Sequence, residues 1–184
     1  MGYLTRFVVL ILLSSVGYAD TASLSESQDA SDQSGIKKEA QTLKPGDMVP
    51  DFTMAATNGF GQRLQEARGS FLMLIWLGNC NECSERLVRY QLLAESLSMD
   101  GLKGWFVWTP KGDDEPPKMR LPVLKFDSYW PQSWVFEDQP AIMLINADGR
   151  LDHLITGDLN DNYRETEQVL MRWMARGLDG QMTE

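Results

Sequence analysis

Cys80-Asn-Glu-Cys83 holds both cysteines of this 184-residue chain. The pair follows Phe71-Leu-Met-Leu-Ile-Trp-Leu77, an apolar run of strand length, and opens a segment with helical periodicity. A helix start offers unpaired N–H groups and about half a positive charge, which stabilise a thiolate. Cys80, at the very end, is expected to be the accessible, attacking sulfur. Cys83, one turn in on the apolar stripe, is expected to be the buried resolving sulfur. The chemistry is attack, mixed disulfide and resolution by the second thiol. A structural disulfide is the competing use, but closing so short a loop removes little chain entropy. Half of a zinc site shared between subunits is another. The strand–C-x-x-C–helix context favours redox work over both.

These residues need a frame. Asp51–Met54 reads as a short strand, and Asn58-Gly59 as a hairpin turn, since both residues tolerate positive φ. Phe71–Leu77 suits a central strand buried on both faces. The spacing of Cys83, Leu87, Tyr90, Ala94 and Leu97 predicts a helix over Cys80–Met99, stopped at Gly101. Trp105–Trp108 is the next strand, so strand, helix and strand form a right-handed crossover. A polar loop, Pro110–Arg120, leads to a strand over Leu121–Phe126. An aromatic stretch, Ser128–Trp134, precedes a strand at Ala141–Ile145. A turn at Ala147-Asp-Gly149 joins it to an antiparallel partner at Leu151–Ile155. A last helix is expected over Asn162–Arg176, with Asn162 and Glu165 as a capping box and Gly177 as its end. The expected fold class is α/β: a mixed central sheet flanked by helices on both faces, with an N-terminal β-hairpin extension.

Composition narrows the function. Lys and Arg number 17 against 26 Asp and Glu, a formal net charge of −9. That argues against a nucleic-acid partner, which would require a basic face. With two Cys and one His, a closed four-ligand Cys/His zinc site within one chain is excluded. Residues 1–19 read as a signal peptide: Arg6, the apolar run Phe7–Leu13, then small residues at Gly17 and Ala19. An uncleaved anchor is the alternative, although the run is shorter than the roughly 20 residues that span a bilayer. Residues 20–44 have few large apolar side chains and read as a flexible linker. The folded domain is expected over 45–177, with a short tail at 178–184. The expected location is periplasmic, membrane-tethered if the leader is retained, and the expected state is monomeric.

The residues Pro45–Met54, Leu64–Gly69, Trp76–Cys83 and Gln139–Arg150 together resemble exported thiol-disulfide oxidoreductases of the TlpA/ResA type, with a thioredoxin-like fold. The resemblance covers about Pro45–Arg176. It implies that Pro140 is cis and lies against the cysteine pair. It also implies that the Gln139 backbone pairs with an extended substrate strand. Protein thiols and disulfides are then the substrates, a membrane dithiol carrier is the implied electron donor, and no dissociable cofactor is needed. Trp76, Asn79, Asn81 and Glu82 surround the pair in sequence and are expected to tune it.

Departures from that pattern carry information. Asn79 stands where the family has Trp. Leu74 stands where thioredoxins keep a buried Asp for proton transfer. Glu82 and Glu85 disfavour a nearby thiolate, with Arg86 as an offset. A less stabilised thiolate makes a stronger reductant. The loop Pro110–Arg120 shares the cysteine rim and reads as solvated. Tyr129, Trp130 and Trp134 line a substrate groove or pack in the core. His153 is a surface histidine, or a copper ligand with the two cysteines as in Sco-type chaperones, whose C-x-x-x-C-Pro has one more residue. Peroxiredoxin chemistry lacks its Thr, since Leu77 occupies that position. A binding module with a purely structural disulfide is the remaining alternative. Equilibration of Cys80–Cys83 with glutathione should give a reducing or moderately reducing potential. A value as oxidising as that of DsbA would refute the charge argument.

Overall fold

The computed structural model describes residues 43–78, 84–126 and 139–181. The leader, most of the linker, the segment 79–83 with both cysteines, the aromatic segment 127–138 and the last three residues lie outside the described residues. So do the expectations placed on them.

Ten elements follow in order. They are β1 (Thr53–Met54), β2 (Gln62–Arg63), α1 (Leu64–Ala67), β3 (Phe71–Trp76), α2 (Ser84–Ser96), β4 (Leu102–Trp108), β5 (Val123–Lys125), β6 (Ala141–Ile145), β7 (Leu151–Thr156) and α3 (Tyr163–Gln181). A 3-10 turn at Ser98–Asp100 follows α2, and Gly101 closes it in the left-handed conformation.

The main sheet has the order β5-β4-β3-β6-β7. β3, β4 and β5 run parallel, and β6 and β7 are antiparallel to their neighbours. β3 is central and every one of its residues is buried, as a continuous apolar run requires of a strand covered on both faces. Side chains alternate between two cores. Phe71, Met73 and Ile75 face α2 and α3, whereas Leu72, Leu74 and Trp76 face the N-terminal segment. Each fully buried aliphatic side chain contributes roughly 1.5–3 kcal/mol, so β3 anchors both cores.

The two long helices share one face. Leu87, Tyr90 and Ala94 of α2, with Leu97 just after it, pack in the same core as Leu170, Trp173 and Met174 of α3. The opposite face is covered by Leu43, Val49, Phe52, Met54, Leu64 and Ala67, from the N-terminal segment and α1. Helices on both faces therefore means one four-residue helix on the second face, among the described residues. Gly104 permits the approach of α2: a β-carbon there would lie 2.7 Å from the Ala94 methyl. The core also reaches back to Leu43, which is buried, two residues before the expected domain start.

One expectation needs correction and another gains a second role. α3 continues through Gly177 to Gln181 instead of stopping. Phe71 explains the glycine, because a β-carbon at position 177 would lie 2.2 Å from the Phe71 ring. Close packing, not helix termination, requires it. Asn58 is the second case. It lies, as expected, in the loop joining the antiparallel pair β1 and β2, and its side chain is in addition a latch. Nδ2 donates to the Met119 and Leu121 carbonyls at 2.8 Å each, and Oδ1 accepts from Val123 N at 2.9 Å. Thr57 N and Lys125 N extend the junction, donating to the Val123 and Ala55 carbonyls. The hairpin thus covers the exposed edge at β5. Asn58→Ala removes three hydrogen bonds and should cost about 1–3 kcal/mol, read as a lower midpoint in urea unfolding.

Candidate functional site

β3 and β4 are parallel, so their carboxyl ends share one rim of the sheet. β6 is antiparallel to β3, so it begins at that same rim, with Trp76 opposite Ala141. The chain leaves β3 through Leu77 and Gly78 toward 79–83, and it enters β6 through Gln139 and Pro140. The topology therefore brings the residue two before Cys80 beside the two residues before β6.

The contact is intimate. Gly78 has φ of 54°, in the left-handed region. A β-carbon on it would lie 2.6 Å from the Gln139 carbonyl carbon and 2.8 Å from the Pro140 nitrogen. Real β-carbons do not come that close to backbone, so both the conformation and the space require glycine. In the sequence Gly78 signals only the end of a strand. Its role in seating the Gln139–Pro140 peptide emerges from tertiary contact.

Pro140 is half-buried and Gln139 is exposed. The Pro140 carbonyl accepts from Gly157 N at 2.9 Å. Among the described residues no peptide bond is cis, so the Gln139–Pro140 bond is trans, against the expectation carried by the resemblance. The ring is accommodated at the lead-in to β6, beyond the ladder that begins at Ala141, where no ladder N–H is required.

Trp76, expected to tune the site, is wholly buried and packs edge-to-face on Phe126, with ring centroids 5.2 Å apart. Leu74 is also wholly buried, paired in register with Trp105 and Met143. Its surroundings are apolar. Thr109, just past β4, has a buried hydroxyl without a hydrogen-bond partner among the described residues. Asn79, Cys80, Asn81, Glu82 and Cys83 lie outside the described residues.

The start of α2 is tied down electrostatically. Arg86 Nη1 donates to Asp158 Oδ2 at 3.0 Å. Asp158 Oδ1 also accepts from Asn160 N at 2.8 Å and from Asp161 N at 3.4 Å. The Asn160 N–H bond foremost, then Asp161 N–H and Arg86, holds the Asp158 carboxyl below the usual carboxylate range. One turn on, Tyr90 OH donates to the Leu159 carbonyl. Burial pushes the Tyr90 phenol up to about 12, so it remains a donor at any physiological pH. Arg89 lies 5.9 Å from the centroid of the Tyr163 ring.

The loop after β4 is pinned onto α2. Arg120 N donates to Gln91 Oε1 at 2.8 Å, and Arg120 Nη2 pairs with Glu95 at 2.6 Å. Between them lies an open cleft of about 530 Å³ lined by Val88, Gln91, Pro116, Pro117 and Met119. Residues 111–115 of this loop are exposed, as expected of a solvated segment.

His153 is elsewhere. It pairs in register with Leu144, three residues along β6 from Ala141, or roughly 10 Å along the sheet from the start of β6. It lines a cleft of about 550 Å³ with Phe71, Asn146, Asp152 and Trp173, at the opposite end of β3. Asp152 there accepts from Trp173 Nε1 and Asn146 Nδ2. Among the described residues no three His, Cys, Asp or Glu side chains gather as a metal site.

The strand order and two-core arrangement define the thioredoxin fold. Solved structures with the same fold include a DsbE-type thiol:disulfide interchange protein from Chlorobium tepidum, at 19% identity and a TM-score of 0.55, over 70% of this chain and 97% of that one. They include peroxiredoxin Q from Xanthomonas campestris, at 11% identity and a TM-score of 0.57, over 70% and 99%. They also include BsSco, a member of the Sco family of cytochrome c oxidase assembly proteins, at 13% identity and a TM-score of 0.52, over 72% and 97%. No family model matches the sequence, and no curated protein does. The structural neighbours are largely thioredoxin-fold thiol-disulfide oxidoreductases, and their likeness establishes the fold.

Gly78→Ala should be strongly disruptive. The left-handed conformation costs about 1–2 kcal/mol for a residue with a β-carbon, and the collision is with backbone that cannot rotate away. The expected result is a lowered urea midpoint together with a changed Cys80 reactivity toward iodoacetamide. A variant of wild-type stability would contradict the contact.

Proposed function

We propose that the chain is an exported thiol-disulfide oxidoreductase that reduces or exchanges disulfides of extracytoplasmic proteins. The single observation that carries this reading is the Gly78 contact. It sets the chain leading to Cys80-Asn-Glu-Cys83 against the Gln139–Pro140 peptide, at the carboxyl rim of a thioredoxin-fold sheet. Export rests on the leader-like residues 1–19 of the sequence.

In this reading the Cys80 thiolate attacks one sulfur of a substrate disulfide. A mixed disulfide forms and the other substrate sulfur leaves as a thiolate, which takes up a proton. Cys83, losing its proton, then attacks Cys80. The Cys80–Cys83 disulfide forms and the second substrate thiol is released. Two electrons pass from the protein to the substrate. A membrane dithiol donor returns them, and no dissociable cofactor takes part. The backbone of Gln139, which has no hydrogen-bond partner among the described residues, is available to an extended substrate strand. Asn79, Asn81 and Glu82 set the electrostatics of the pair.

The BsSco likeness favours one second reading, a copper-binding chaperone that uses Cys80, Cys83 and His153. The location of His153 weighs against it. A binding module with a structural disulfide is the third. Insulin reduction and Cu(I) titration separate them. Wild type should reduce insulin, with activity lost at least 100-fold in Cys80→Ser. Tight copper binding abolished in His153→Ala would favour the chaperone. Neither activity would leave the binding module.

A further inference from the structure

Arg86 lies in the first turn of α2, three residues after Cys83. At most about 11 Å of chain separates the two Cα atoms, close to the Debye length of about 8–10 Å. A free guanidinium there would stabilise a thiolate of the pair. It is not free: Asp158 holds it at 3.0 Å. Asp158 is itself fixed from the loop side by Asn160 N and Asp161 N. The carboxylate therefore stays put, and the guanidinium comes to it.

We propose that Asp158 is a redox-tuning residue. By pairing with Arg86 it withdraws one positive charge from the Cys80–Cys83 pair and keeps the couple reducing. The proposal rests on the thiol-exchange reading above and names a residue remote in sequence that sets its direction. The other charged or titratable groups are Glu82, Glu85 and Arg89, close in sequence to the cysteines, with Asp161 on the loop beside Asp158 and Tyr163 on α3 beside Tyr90. Arg89 is already placed over Tyr163. Both partners of the Arg86–Asp158 pair are about half exposed, 41% and 47%, so it adds little to stability. Its effect should appear in the potential instead.

Asp158→Asn is the test. It keeps Oδ1 for the Asn160 N–H but discharges the partner of Arg86. The released charge should lower the Cys80 pKa and stabilise the reduced form. Equilibration with glutathione should then shift about threefold toward the dithiol, or about 15 mV for a two-electron couple. Arg86→Gln should shift it the other way, and the double variant should return to within twofold of wild type. If Asp158→Asn fails to fold, Arg86→Gln reads the same charge with opposite sign.

The pH profile of Cys80 alkylation, measured in a Cys83→Ser background, supplies an independent readout. Its midpoint should fall in Asp158→Asn. An alkylation midpoint that moves in a protein that never exchanges with disulfides would support the tuning and overturn the thiol-exchange reading. Active exchange with neither potential nor midpoint altered would overturn the tuning alone.

Discussion

The contact on which the rim depends is the one between the Gly78 backbone and the Gln139–Pro140 peptide. Gly78 adopts a positive φ and leaves no room for a β-carbon. Two consequences follow. The chain can turn sharply out of a fully buried strand toward the cysteines. The lead-in to β6, more than sixty residues away in sequence, is pressed against that turn. Pairing of β3 with β6 down to Trp76–Ala141 enforces the approach, and the two apolar cores hold the sheet against which it is made. With a side chain at position 78, the end of β3 and the lead-in to β6 could not approach so closely.

Around that contact the molecule divides its labour. One sheet face carries α2 and α3 and positions the start of α2. The other carries the N-terminal segment, which also closes the β5 edge through Asn58 and the backbone bonds at Thr57 and Lys125. Gln91 and Arg120 then pin the loop after β4 to α2. The rim is thus braced from the hairpin, through the loop, to the helix that follows the cysteines. On the other side of that helix, Asp158 and Leu159 fasten Arg86 and Tyr90. The fold is shared with a thiol:disulfide interchange protein, a peroxiredoxin and a Sco protein. A fold common to proteins so differently named does not by itself fix one chemistry.

Much of the frame was legible in the residue pattern. Continuous apolar runs marked β3 and β6, because a strand buried on both faces cannot carry polar side chains. The stripe Leu87, Tyr90, Ala94, Leu97 marked α2, because helical spacing aligns those positions on one face. Gly101 was legible as a stop and Ala147–Gly149 as a turn, since both are local backbone requirements. The C-x-x-C motif was legible for the same reason, as a spacing within one segment.

What the sequence left open depends on groups distant along the chain. Gly177 has the composition of a helix end but packs on Phe71 inside a longer helix. Asn58 has the composition of a turn but bonds residues more than sixty positions away. Pro140 fits a cis pattern by resemblance but is trans, since its isomer depends on how β6 enters the sheet. His153 is a candidate ligand by residue type alone, and only β7 decides that it pairs with Leu144, roughly 10 Å along the sheet from Ala141. Arg86 read as a free offset to Glu82 and Glu85 until Asp158 was found beside it. Local sequence determines what a segment can form, because propensity, periodicity and spacing act within a few residues. Which side chains meet, and which charges cancel, was decided by the closing of the sheet, because contact energies depend on distances that chain order does not contain.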